Sequence, residues 1–206
     1  MSIASKKELK FYISADRMMN RGCFNISIKQ KILRFIYPDY IMSYLKALRK
    51  TEYYVNVGKK KSIGYLICRY RLSALGVKLG FSIAPNVFGY GLVIPHYGTI
   101  VVGDGNKIGN YCVLHTSTCI TSGKKVIGDA LYLSTGAKVI NDITLGNSVS
   151  VGANAVVNKS FVDSNLLLVG APAVVKREQQ SWYINDGEKY QIRINTIEEY
   201  AISKGI

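Results

Sequence analysis

Residues 127–162 read IGDALY, LSTGAK, VINDIT, LGNSVS, VGANAV, VNKSFV when the chain is broken every six residues. An aliphatic side chain opens every block (Ile127, Leu133, Val139, Leu145, Val151, Val157), and the fifth position is apolar throughout, from Leu131 to Phe161. A period of six fits neither a helix of 3.6 residues per turn nor a strand alternating every two. It fits a short strand and a tight turn, repeated, with the aliphatic returning to one interior line. Glycine follows the aliphatic at Gly128, Gly146 and Gly152, and such a turn predicts positive φ there. The pattern is that of a solenoid, in which each rung buries its apolar side against its neighbours.

The step continues upstream. Val102, Ile108, Leu114 and Ile120 keep it, with Gly103 and Gly109 after the aliphatic. One extra residue near Gly123-Lys124-Lys125 predicts a small side loop. Ile94 and Ile100 keep the step and then slip by two at Val102, and Val77 and Ile83 give a first, irregular rung.

On these segments the chain resembles the hexapeptide-repeat acyltransferases. The likeness is carried by GLVIPHYGTIVVG (91–103), IGNYCVLHTSTCIT (108–121), GANAVVNKS (152–160) and VGAPAVVKR (169–177), and it covers about residues 76–177. Within that family it is most similar to the serine acetyltransferases and to their relatives among sugar O-acetyltransferases. The resemblance implies a mainly β fold, a left-handed parallel β-helix of three strands per coil. It also implies a homotrimer, with or without pairing of trimers, and acetyl-CoA as co-substrate. The handedness comes from the resemblance alone, since ordinary parallel crossovers are right-handed.

Three regions are expected: a basic α-helical stretch over 1–75, the β-helix over 76–175, and a short tail over 176–206. Ser5-Lys-Lys-Glu8 is a capping box that opens a first helix. Apolar stripes at Ile28, Ile32, Phe35 and Ile36, at Ile41, Tyr44, Leu45 and Leu48, and at Ile63, Ile67, Tyr70 and Ala74 predict three more, the last ending near Gly76. In the tail, Thr196 is placed to cap a short helix.

Charge is distributed unevenly. Residues 1–80 hold 17 Lys and Arg against 4 Asp and Glu, whereas residues 81–206 hold 10 against 9. A basic face of that size favours anionic partners, such as a phosphate-bearing substrate, an anionic membrane surface or a polyanionic glycan. A solvated helical surface without a partner is the alternative, and no nucleic-acid-binding motif accompanies the charge. There is no run of 18 apolar residues and no apolar core to the N-terminus, so neither a membrane span nor a secretory signal is expected. Cys23, Cys68, Cys112 and Cys119 lack CxxC spacing and are expected as reduced thiols in the cytoplasm.

The only two histidines, His96 and His115, lie 19 residues apart, close to one coil of 18. With the slip at Val102, Leu114 should stack over Ile94, which puts the histidines on neighbouring rungs about 5 Å apart along the axis. Transfer of an acyl group from a thioester to a hydroxyl needs a base near neutral pH, and imidazole suits that. The resemblance assigns His96, in VIPHYGT, as that base, and His115 to substrate contact or support. It also places Ser122, Thr135 and Ala153 along the pantetheine arm, with Lys159, Lys176 and Arg177 for the cofactor's phosphates. In the serine-specific branch an aspartate orients the base. Ser82 replaces it here, leaving Asp104 as the nearest carboxylate in sequence. A metal is not expected, since a threefold zinc site would need three histidines per chain.

These residues point first to an acetyl-CoA-dependent O-acetyltransferase acting on a sugar hydroxyl of a cell-surface polysaccharide or its precursor, in the cytoplasm or at its membrane surface. Serine O-acetyltransferase is the second reading, and a non-catalytic polyanion-binding solenoid the third. The sugar reading rests on Pro95, where the serine branch has an aspartate suited to an ammonium, and on the short Ser122–Lys125 loop. Lys124 or Lys125 remains available for a carboxylate. Tyr90, Tyr97, Tyr111 and Thr116 are the neutral groups that a sugar would meet.

Overall fold

The computed structural model describes residues 3–206, and the side chains of all of these except Lys31 and Arg34. Four helices come first: α1 (Lys6–Arg21), α2 (Ile28–Ile36), α3 (Tyr40–Asn56) and α4 (Ile63–Leu79). Each starts where its sequence supplies a cap. Ser5 with Glu8 and Ser27 with Gln30 form reciprocal capping boxes, while Asp39 and Ser62 accept from the first turns of α3 and α4. No helix among the described residues is long and apolar enough to cross a membrane.

A parallel β-solenoid of five coils follows. Phe81–Ile83, Ile100–Val102, Thr118–Ile120, Lys138–Val139 and Val156–Val157 stack as its first face. The second face holds Lys107–Ile108, Val126–Ile127 and Thr144–Leu145, extended by bridges at Phe88 and Phe161. The third holds Val113–Leu114, Tyr132–Leu133, Ser150–Val151 and Leu166–Val169, and the antiparallel strand Val174–Glu178 closes it. The interior is the aliphatic line read from the sequence: Leu114, Ile120, Leu133, Val139, Val151 and Val157 are fully buried.

The repeat glycines play a different part from the one expected. Gly103, Gly109, Gly128, Gly146 and Gly152 do not have positive φ; at the corner between second and third faces that conformation falls on Tyr111, Ala130, Ser148 and Asn165. What glycine supplies is space between coils. A Cβ on Gly109 would collide with the Asp129 carboxylate, and one on Gly128 with the Asn147 amide. Those same side chains accept backbone N–H groups of the preceding coil, Asp129 from Asn110 (2.7 Å) and Asn147 from Asp129 (2.8 Å).

The helices differ from expectation in what they bury. Ile63, Ile67 and Tyr70 of α4 face solvent, and Cys68, Leu72, Gly76 and Leu79 pack instead. Apolar residues surround this helix, so periodicity could not choose a face. Gly76 marks the contact, since a Cβ there would lie 2.6 Å from the Phe81 carbonyl. The helix continues to Leu79 and stops at Gly80, whose φ is 78°. On α2, Ile28, Ile32, Phe35 and Ile36 are all exposed. The expected short tail is structured. After the closing strand come α5 (Trp182–Asn185) and α6 (Glu188–Lys204), and Thr196 lies inside α6, bonded to the Ile192 carbonyl, not at its start. With α1 these helices build a second core on the outside of the third face, around Val93, Val113, Tyr111 and Trp182.

Candidate active site

The site begins with a polar clamp. Arg49 of α3 is fully buried, pairs with Asp16 (2.8 Å) and Glu52 (3.1 Å), and donates to the carbonyls of Phe88 and Gly89. Burial opposes its charge, but the two carboxylates outweigh that and hold its pKa above the usual arginine value. Asp16 in turn accepts the Leu92 N–H (3.0 Å). Asn20, one turn further along α1, brackets the same strand: it donates to the Leu92 carbonyl (2.8 Å) and accepts from Ile94 N–H (3.1 Å). The residues just before Pro95-His96 are thereby fixed to the helical layer.

Val93 pairs with Val113, and Leu114 N–H donates to the Val93 carbonyl (3.0 Å), so Leu114 lies over Ile94 as the spacing requires. Ile100 pairs with Thr118. Five residues therefore join Ile94 to Ile100 where three join Leu114 to Thr118. The slip of two is absorbed in 95–99, at the corner between third and first faces, and not at Val102. The result is an outward loop, with His96 exposed and Tyr97 74 % exposed. Gly98 (φ 141°) brings the chain back, donating to the Leu79 carbonyl at 2.9 Å. Its own carbonyl lies 3.0 Å from where a Cβ on Gly80 would be.

His115 occupies the same corner one coil on. Its ring is partly buried and lies 5.1 Å from the Tyr132 ring. Burial holds its pKa below the usual histidine value, the charge of His96 acts in the same sense, and Asp186 opposes both. Neither imidazole makes a hydrogen bond within the described residues. Both rings are thus free to meet a ligand.

The other candidates divide by corner. Thr116, Thr135 and Ala153 form one file beside the histidines, held by Gly136 N–H to Thr116 O (3.0 Å) and Asn154 N–H to Thr135 O (2.9 Å). Ser122 and Lys159 lie at the corner between first and second faces. Lys176 and Arg177 are exposed on the closing strand, where Arg177 bonds Gln179. Tyr111 is buried in the second core, where its hydroxyl and that of Tyr90 both donate to Glu198 of α6. Asp104 is also remote from His96 within the chain: it turns the corner between first and second faces, its carbonyl accepting from Gly123. Lys125 is fully buried and spends its ammonium on the Thr121 carbonyl (2.9 Å), so it is not available to a substrate carboxylate. Asp186 and Tyr132 were missed in the sequence. Asp186 follows α5 in Asn-Asp-Gly, a turn signal that gave no hint of which part of the solenoid it would reach.

No protein-family model matches the chain. The serine acetyltransferase of Buchnera aphidicola (from Acyrthosiphon pisum) is 28% identical over 167 residues, which is 76% of this chain and 59% of that protein. With the Synechococcus elongatus serine acetyltransferase the identity is 31%, over 47% of this chain and 42% of the relative. The chain thus spans about half the length of these relatives. Among solved structures, the Brucella abortus serine acetyltransferase in complex with coenzyme A superposes with a TM-score of 0.62 at 20% identity, covering 84% of this chain and 68% of that one. That likeness shows the shared left-handed β-helix. The serine acetyltransferase of Helicobacter pylori J99 is 32% identical over 117 residues, 53% of this chain and 68% of its own length. On that match over two thirds of a curated relative, this chain belongs to the serine acetyltransferase family.

Proposed function

We propose that the protein transfers acetyl from acetyl-CoA to a hydroxyl, with serine as acceptor, and works as a homotrimer. The observation that carries the reading is the pair of unbonded imidazoles on consecutive coils at one open corner, beside the small-residue file of Thr116, Thr135 and Ala153. His96 takes the acceptor hydroxyl's proton as the oxygen attacks the thioester carbonyl carbon. The tetrahedral intermediate then collapses, the C–S bond breaks, and the imidazolium returns the proton to the departing thiolate. A backbone N–H steadies the oxyanion. His115 and Tyr97 border the acceptor. The small side chains let the pantetheine arm approach, and Lys176 and Arg177 answer its phosphates. Ser122 and Lys159 stand at another corner, so they can join this site only from a second copy. In a homotrimer this places each site between subunits.

The serine acetyltransferases among the relatives favour serine as the acceptor. A sugar hydroxyl is the second reading, favoured by the uncharged Pro95 and by the engagement of Lys125 with backbone. Acetyl-CoA-dependent thiol release, measured with serine and with a panel of capsular and O-antigen sugars, tests both. Transfer to serine alone supports the first reading, and transfer to a sugar alone replaces it with the second. No transfer to any acceptor refutes the enzyme reading and leaves the polyanion-binding solenoid.

A further inference from the structure

The helical layer contains a basic groove that the transferase reading does not use. It measures about 490 Å³ and lies between α1 and α3. Lys6, Lys10 and Arg17 line it from α1, and Lys46 and Lys50 from α3; no carboxylate lines it. The four lysine ammonium groups make no hydrogen bond or ion pair among the described residues. Two arginines of the same layer are neutralised instead, Arg21 by Asp39 and Arg49 by Asp16 and Glu52. Four unpaired ammonium groups around one concavity repel each other and lower stability. Lys46 registers this, its pKa lowered by burial and then by Lys50, Arg17 and Arg71. The remaining wall is formed by Leu9, Ile13, Tyr53 and Tyr54, with the uncharged polar groups of Ser14 and Asn25.

We propose that this groove binds a phosphate-bearing anion, held by charge-assisted hydrogen bonds from the lysines. A phosphorylated small molecule and an anionic lipid headgroup share that chemistry. The headgroup has a structural argument of its own. Asn25 lines the groove, and α2 starts three residues later with Ile28, Ile32 and Phe35 exposed, the last at 91 %.

Titration calorimetry of the full chain with pyrophosphate tests the site, and co-sedimentation with phosphatidylglycerol-containing or pure phosphatidylcholine vesicles separates the two sources. The reference variant is Lys46→Gln/Lys50→Gln, and the control is Lys107→Gln/Lys138→Gln, two exposed lysines of the solenoid. The expected result is pyrophosphate binding that weakens at least ~10-fold in the groove variant and little in the control, because the groove gathers several cations around one concavity and the control sites do not. The groove variant should also unfold at the same or a higher temperature than the parent, since repulsion is relieved. Binding to phosphatidylglycerol vesicles that the groove variant loses identifies a headgroup, and pyrophosphate binding without vesicle binding identifies a soluble ligand. The proposal is overturned if neither probe binds, if phosphatidylcholine alone binds equally, or if the control loses as much as the groove variant. It does not depend on the transferase reading, because thiol release by the groove variant reports on that separately.

Discussion

Replacing Arg49 with methionine tests whether the clamp between helices and solenoid is as dry as it looks. Methionine keeps most of the side-chain volume, so the cavity term is small. What it removes is the partner of two carboxylates that are 1% and 2% exposed, those of Asp16 and Glu52, and the donor to two backbone carbonyls. Breaking a buried ion pair from one side costs about 3–5 kcal/mol. At about 2–4 °C per kcal/mol for a chain of this size, the melting temperature should fall by roughly 6–20 °C. Burial already raises the Glu52 carboxyl's pKa, and losing the guanidinium removes the largest influence that holds it down. The variant's native state then binds more protons than its unfolded state, so its stability should recover as pH falls from 7 towards 5. Adding Asp16→Asn and Glu52→Gln should restore more than half of the loss at pH 7. Turnover should drop with stability, because Asp16 fixes Leu92 ahead of the His96 loop. Differential scanning fluorimetry across pH measures the stabilities, and acetyl-CoA-dependent thiol release measures the turnover. A loss under about 1 kcal/mol, or one that does not change with pH, refutes the reasoning, since a solvated pair behaves that way.

Three further outcomes are expected. His96→Ala should lose at least ~10²-fold in turnover, the lower range for a general base, and His115→Ala should lose less; the reverse order would exchange their roles. Followed by NMR, His115 should titrate below the usual histidine value, and Asp186→Asn should move it lower still, because that carboxylate raises it. His115 then binds fewer protons folded than unfolded, so its contribution to stability is complete above the unfolded pKa and declines as pH falls through the window beneath it. Gly128→Ala should destabilise the solenoid by about 1–3 kcal/mol, an overpacking cost, whereas an unaffected melting temperature would mean that the coils can separate freely there.

The sequence was most legible where one physical constraint repeats. Six blocks in register from Ile127 to Val157 announce stacked rungs because each aliphatic has the same burial requirement. The two-residue slip even located the histidines on adjacent coils. The same regularity misled about glycine: Gly128 looks like a turn residue, yet it is required because Asn147 approaches from the next coil. Helix faces were less readable. On α4 the apolar residues at Ile63, Ile67 and Tyr70 compete with Cys68, Leu72 and Leu79, and only the close approach at Gly76 decides between them. Long-range polar contacts were not readable at all. Nothing local marks Arg49 as buried, Tyr111 as a partner of Glu198, or Asp186 as a neighbour of His115, because each depends on elements that meet only in the folded chain.

The charge of Asp186 bears on the acceptor. A serine site must balance an ammonium, and Pro95 offers no charge where the serine-specific pattern has an aspartate. Read along the chain, that absence favours a neutral acceptor such as a sugar. The folded chain returns a carboxylate to the corner by another route: Asp186, exposed at the end of α5, is close enough for its charge to act on His115. If Asp186 receives the ammonium, Asp186→Asn should raise the KM for serine by ~10-fold or more, about the 1.4 kcal/mol of one charge-assisted hydrogen bond. The KM for acetyl-CoA should stay the same, because that substrate has no ammonium to place. A sugar acceptor predicts the opposite pattern, with the acceptor KM indifferent to the change and only the pH dependence moved through His115. Steady-state kinetics with each acceptor separates the two, and an unchanged serine KM would remove Asp186 from the acceptor site.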